Sequence, residues 1–444
     1  MKNKRSEISF LIGLVLVCIF VQTAYAATGG RLKNQSQHVL WSGTLERTDP
    51  PLGEILPCAA APCQRFDLTV ELPGGVWNNN PGGVEIAVRW TGFVAPNDAA
   101  VSDNLFLYVY RNGLLVAKSD GIISTAQSLL IPNAANGIYQ VYVVYDTTSP
   151  NEAIPFEALA EVEYPPKVNP LRQLLPDLAV EHQRNVTFQT PPSIFFDLPP
   201  APGQNCFPSE IEEEGAQRCL RFDQVFANIG EGALEMRFVI PHDPNATSRN
   251  VFQRIYRSDG TISERLAGEW EFHAAHGHFH FEGFGLSRLF QSNANGQPVG
   301  SAPLKQRRFK LNGKRLGTTF PPVAGVNKVS FCIADIEIIR WAQKGNGIRQ
   351  FNAPDCLFPA YSDAANDYLI QGITAGWADV YEWYLPDQYI EVSGVPDGFY
   401  ILETIADPDN RMLEANENNN RGSVLIRLWN TGTASPQAEI VRAL

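Results

Sequence analysis

Apolar and polar residues alternate in short runs along most of this chain, and Gly, Pro, Asn and Asp break the runs apart. Phe66–Leu72, Val84–Trp90, Leu105–Tyr110, Tyr139–Tyr145 and Phe156–Glu163 are examples. Alternation sends successive side chains to opposite faces of an extended chain, so one face can be buried while the other meets water. Patterns with a helical period are scarce. Frequent turn residues between such runs predict an all-β fold built from β-sandwiches. The chain has 35 Gly and 32 Pro, but the alternation persists between them and excludes disorder.

The runs group into two modules. The first is expected over residues 38–164. Asn112-Gly113 closes one of its strands, and Asn136-Gly137 opens another. It resembles the jelly-roll domains appended to secreted bacterial enzymes and holds no cluster of catalytic residue types, so an accessory role is expected. Residues 165–176 carry prolines 165, 166, 170 and 176 and read as a linker. The second module is expected over residues 177–430 and holds the concentrated chemistry.

The N-terminus adds a compartment. Lys2, Lys4 and Arg5 precede an apolar stretch from Phe10 to Val21, and Ala24-Tyr25-Ala26 has the small-x-small form of a cleavage site. Residues 1–26 therefore read as a signal peptide, too short in its apolar part for a membrane span. A secreted or periplasmic chain with no stable membrane anchor is expected. Beyond Cys18 there are six cysteines in three neighbouring pairs: 58 with 63, 206 with 219 and 332 with 356. Fifteen connectivities are formally open, and the neighbour pairing is preferred. The formal charge of −12 argues against nucleic acid as a partner.

Four of the seven histidines fall in eight residues: His273, His276, His278 and His280. In an extended chain His276, His278 and His280 share a face. Their outer Cα atoms would lie about 13 Å apart at strand rise, so convergence on one metal requires a bend, for which Gly277 is well placed. A helical reading pairs His276 with His280 at i, i+4. Three histidines with an open position suit copper and zinc equally well.

The company of these histidines resembles the lysyl oxidase family. Trp270, His273 and the triplet His276, His278, His280 are similar to that family's copper motif, with Ala275 where the animal motif has a cysteine. Asn327-Lys328-Val329-Ser330-Phe331-Cys332 resembles the segment supplying the cofactor lysine. Gly372-Ile373-Thr374-Ala375-Gly376-Trp377-Ala378-Asp379-Val380-Tyr381 resembles the segment supplying the tyrosine. The resemblance implies a lysyl-oxidase-like β-sandwich with long loops. It also implies copper(II) on His276, His278 and His280, and a lysine tyrosylquinone joining Lys328 to Tyr381, with Tyr384 and Tyr389 as other tyrosines in reach. The implied activity is oxidation of primary amines, peptidyl lysine among them, by molecular oxygen to aldehyde, ammonia and hydrogen peroxide. Glu282 and His273 are candidates for the base.

The stretch from Asp407 to Asn420 is dense in hard oxygen donors, which suit calcium. The same resemblance implies calcium ligation by Glu414, Asn416, Asn419 and Asn420, with Asp177 and the Leu178 carbonyl. An Asn-rich hairpin without a metal is the plainer reading. For the whole chain, two other functions stay open: a noncatalytic secreted copper-binding or adhesion module, and a zinc hydrolase with Glu282 as base.

Overall fold

The computed structural model describes residues 29–34, 37–78, 82–91, 103–121, 124–163, 172–192, 200–201, 203–273, 277–299, 310–311, 314–315, 324–325, 330–339, 349–352 and 356–444. The fold is nearly all β. Among the described residues there is one short α-helix, Pro208–Glu214, and no helix long and apolar enough to cross a membrane.

The first module is a sandwich of two sheets. One has five strands in the order Gly29–Leu32, Cys63–Val70, Gly137–Tyr145, Leu105–Arg111 and Leu114–Ser119. The other has four, in the order Val39–Glu46, Ala153–Glu163, Gly83–Trp90 and Ala126–Pro132. Inward positions at every second residue fill the space between, as with Val84, Ile86, Val88 and Trp90. Trp41 of one sheet stacks on Phe66 of the other with ring centroids 4.0 Å apart. Such a pair adds roughly 1 kcal/mol beyond its buried area. The sheet begins at Gly29, ahead of the residue 38 expected from the alternation.

Three large sheets and a two-stranded ribbon, Lys310–Leu311 with Lys314–Arg315, build the second module among the described residues. The first runs His278–Phe281, Ile262–His273, Asn250–Arg257, Leu234–Pro241, Asn366–Ile373 and Tyr361–Ser362. It also takes in Gln173–Leu174, within the stretch read as linker. The second sheet has Cys219–Asn228 at its centre, flanked by Leu178–Val180 and by Trp377–Tyr381, which in turn pairs with Glu337–Ile338. The third pairs Gly285–Ser292, Gly398–Ala406, Arg421–Trp429 and Gln437–Ala443, the last of these beyond residue 430. Phe226, Phe284, Phe331, Trp377 and Tyr381 meet in one buried cluster. Gly372 is dictated by packing, since a Cβ there would stand 2.1 Å from the Leu234 carbonyl oxygen.

The cysteines pair as the spacing suggests: Cys58–Cys63, Cys206–Cys219 and Cys332–Cys356. The modules touch through backbone. Thr125 N–H donates to the Ile336 carbonyl at 3.0 Å, as does the Ser124 hydroxyl. Arg349 N–H donates to Ser128 Oγ at 3.0 Å. Ala87 and Ala126 of the first module join the core cluster that contains Tyr381.

Candidate metal and tyrosine site

The histidine stretch is an edge hairpin. One strand ends at His273 and the next begins at His278, in a register that sets His273 opposite His278 and Glu271 opposite His280. The strand therefore carries two of the three histidines read as one extended face. Gly277 sits at φ +70°, in the left-handed region that favours glycine, and it ends the extended run. His276 lies outside the described residues. On the opposite face of the hairpin, Trp270 and Phe272 pack edge-on against Phe279 at 5.1 Å, and Trp270 Nε1 donates to the Val239 carbonyl at 2.7 Å. The apolar face thus fixes the hairpin and leaves the histidine face inward.

His278 and His280 are both buried. Their Nε2 atoms face each other at 2.8 Å. Two nitrogens bound to one metal at about 2.0 Å stand about 2.8 Å apart when the angle is a right angle, and about 3.3 Å apart when it is tetrahedral. The separation is that of an N–H···N hydrogen bond, and it also leaves both nitrogens in reach of one metal ion. Ser330 closes the other side. Its hydroxyl donates to Glu271 and stands 3.2 Å from His280 Nδ1. With its only proton given to the carboxylate, Ser330 accepts from His280 Nδ1–H. That tautomer leaves the lone pair on Nε2, the atom facing His278.

The segment holding Ser330 also holds the tyrosine. Phe331 bridges Phe281 of the hairpin, with N–H···O contacts of 2.8 and 3.2 Å. Tyr381 is buried, and its hydroxyl donates to the Cys332 carbonyl at 2.8 Å while accepting from Cys332 N–H at 2.9 Å. The Phe331 ring meets the Tyr381 ring edge-on at 4.8 Å. Burial, and then Asp379, hold the Tyr381 phenol well above its usual range, against the pull of the Cys332 hydrogen bond. Tyr384 instead lines the cleft between the modules, and Tyr389 packs against Cys206 and Cys219. Lys328 lies outside the described residues, two positions before Ser330.

Two side chains the sequence did not single out lock this arrangement. The buried Gln371 amide donates to the Phe279 carbonyl at 2.7 Å and accepts from Ile333 N–H at 3.0 Å, tying the hairpin to the segment. Asp335, fully buried, accepts from Gln350, Phe351 and Thr374 backbone N–H groups and from the Thr374 hydroxyl. Burial raises its carboxyl despite these donors. Glu282 is partly buried, and burial, then Glu271 and Glu269, raise its carboxyl. A carboxyl raised towards neutral pH is a stronger base than an ordinary one, so the environment of Glu282 is compatible with that role.

The oxygen-rich loop joins Gly398–Ala406 to Arg421–Trp429 and meets the start of the module. Glu414 accepts from Leu178 N–H and from Asn420 Nδ2 at 2.8 Å, and Asn419 Nδ2 donates to Asp177 at 2.7 Å. Oδ1 of Asn419 and Oδ1 of Asn420 are buried with no hydrogen-bond partner among the described residues. Carboxylate oxygens of Asp407, Glu414 and Glu417 lie within 4.8 Å of one another. Burial pushes Glu414 up to about 8 and Asp407 up to about 6. Orphaned oxygens beside strained carboxylates fit a hard cation. Asn416 stands apart: it is exposed and bonds Asn418 within its own turn. Asp407 and Glu417 were not singled out from sequence.

Residues 316–434 match the family model for lysyl oxidase. The matched stretch contains Tyr381, the Ser330–Cys332 segment and the oxygen-rich loop, and it begins after the histidine hairpin. No curated protein matches the chain. Two solved structures show a low likeness. One is the periplasmic inhibitor of g-type lysozyme PliG from Aeromonas hydrophila, at 13% identity over 31% of this chain and 100% of that one, TM-score 0.18. The other is a beta-D-glucuronidase from Dictyoglomus thermophilum, at 10% identity over 57% of this chain and 49% of that one, also with a TM-score of 0.18. Neither likeness carries an argument.

Proposed function

We propose that the second module, whose residues 316–434 match the lysyl oxidase family model, is a copper-dependent amine oxidase whose cofactor is a lysine tyrosylquinone joining Lys328 to Tyr381. Its substrates are primary amines, with peptidyl lysine as the class the match suggests, and molecular oxygen is the acceptor. One observation carries the reading. The three residues Ser330–Cys332 contact His280 through Ser330 and Tyr381 through Cys332, and they follow Lys328 by two positions.

Copper would be held by His278 and His280, with His276 as the implied third ligand. When bound, copper(II) supplies the oxidising Lewis acid for quinone formation, and the quinone supplies the electron sink for amine oxidation. The chain's own residues do the rest. Ser330 and Glu271 fix the His280 tautomer. The Cys332 backbone holds the phenol oxygen and keeps its proton in place. Phe331 and the surrounding core keep water from the ring. Calcium is proposed at Asp177, the Leu178 carbonyl, Glu414, Asn419 and Asn420, where it would join the module's two ends. Export is proposed on the N-terminal segment and the three disulfides.

Copper-loaded, aerated protein should show a visible quinone band, a Lys328–Tyr381 crosslinked peptide by mass spectrometry, and peroxide release that depends on added amine. Recovery of both peptides unlinked from such protein would sink the oxidase reading. Peroxide release also excludes the noncatalytic copper module and the zinc hydrolase as complete accounts.

A further inference from the structure

The four-stranded sheet of the first module has a second face, turned away from that module's core. Val84, Ile86, Val88 and Trp90 point into the sandwich, so Glu85 and Ala87 point out of it. Ala87 is covered by the core cluster of the second module. Glu85 is 1% exposed, although nothing in its own module's core calls for a carboxylate. Directly across the strand pair stands Glu161, also 1% exposed, and one row along stands Glu163, opposite Gly83.

These groups are close. One carboxylate oxygen from each of Glu85, Glu161 and Glu163 lies within 4.8 Å of the other two. Glu161 is held by His38 Nδ1 at 2.9 Å. Both oxygens of Glu85 are buried with no hydrogen-bond partner among the described residues. A buried carboxylate must be paired or neutralised. A proton shared with a neighbouring carboxylate would neutralise Glu85; a cation would do so and also draw Glu161 and Glu163 in as ligands. Two ligands of one calcium ion stand no more than about 5.2 Å apart at bond lengths of 2.3–2.6 Å, and the separations within this trio fall inside that limit.

We propose that Glu85, Glu161 and Glu163 bind a hard divalent cation, calcium in an extracellular setting, at the face where the first module meets the second. The site is separate from the C-terminal oxygen-rich loop and does not depend on the oxidase reading. Burial, and then Glu163 and Glu161, push the Glu85 carboxyl well above its ordinary range.

The test is calcium stoichiometry on the full chain. Protein stripped with EDTA is titrated with calcium chloride by calorimetry, as parent, Glu85→Gln, Glu414→Gln and the double variant. Glu85→Gln should lower the stoichiometry by one equivalent in both the parent and the Glu414→Gln backgrounds. It should melt no lower than its parent in EDTA, because the neutral amide removes like-charge repulsion. Glu163→Gln, at the partly exposed rim, repeats the test should Glu85→Gln fail to fold. Unchanged stoichiometry in either background overturns the proposal. Loss of all calcium in Glu414→Gln alone overturns it too.

Discussion

Ser330 has one proton to give, and the structure commits it to Glu271. That choice decides which nitrogen of His280 can take a metal. Ser330→Ala should therefore weaken copper binding by about 10- to 100-fold, the usual effect of losing an outer partner of a histidine ligand. Competition against a chromophoric chelator measures it, and an unchanged affinity would refute the tautomer argument. The histidines were legible in the sequence because four in eight residues is a conspicuous density. Ser330 and Glu271 were not, since a serine and a glutamate are ordinary in any strand. Only the fold, which sets Glu271 across from His280 and brings the Ser330 hydroxyl to it, gives the carboxylate its partner. Tyr381 was legible through its motif alone. That motif is what placed it ahead of Tyr384 and Tyr389, whereas its contact with the Cys332 backbone is something no spacing reveals.

Elements are pinned here by buried charge. Arg221 and Glu210 form an ion pair at 0% exposure, and their remaining donors and acceptors reach Asn205, Phe207, Leu385 and Asp387. The pair thus joins the short helix to the loop that follows Tyr381. Arg221→Met should cost about 3–5 kcal/mol in denaturant unfolding, because Glu210 would be left buried and unpaired. The oxygen-rich loop predicts a pH effect. Without calcium, the folded chain holds Glu414 at about 8 and Asp407 at about 6, against ordinary values of 4.5 and 3.8. Their contribution to stability is full below the ordinary values and is lost as pH rises to about 8. A bound cation takes over from the protons. The melting temperature in EDTA should thus fall from pH 5 to pH 8 by more than it does in calcium. Glu414→Gln should narrow that gap, and an equal gap in the variant would exclude the loop as its source. The loop's oxygen density was readable, but the closeness of Asp407 and Glu417 to Glu414 was not, because it depends on how the turn folds.

At the scale of the whole molecule, the alternation that predicts two β modules says nothing of how they meet. Ser124, Thr125 and Ile336 are unremarkable in sequence, yet they join the first module to the segment that leads away from the tyrosine anchor. A chain beginning at residue 172 should accordingly melt several degrees lower than the full chain and form its quinone more slowly, measured by calorimetry and by the growth of the visible band. Equal behaviour would make the first module a passenger. The anchor itself has a wider consequence. Cys332 grips the Tyr381 hydroxyl with its backbone and is bonded through its side chain to Cys356. In a reducing cytosol that bond is open, and the residue that orients the phenol is untethered. On the proposed reading, an oxidase assembled on such a residue would gain its full anchor only where thiols are oxidised, so disulfide closure would act as a safety catch for the cell that builds it.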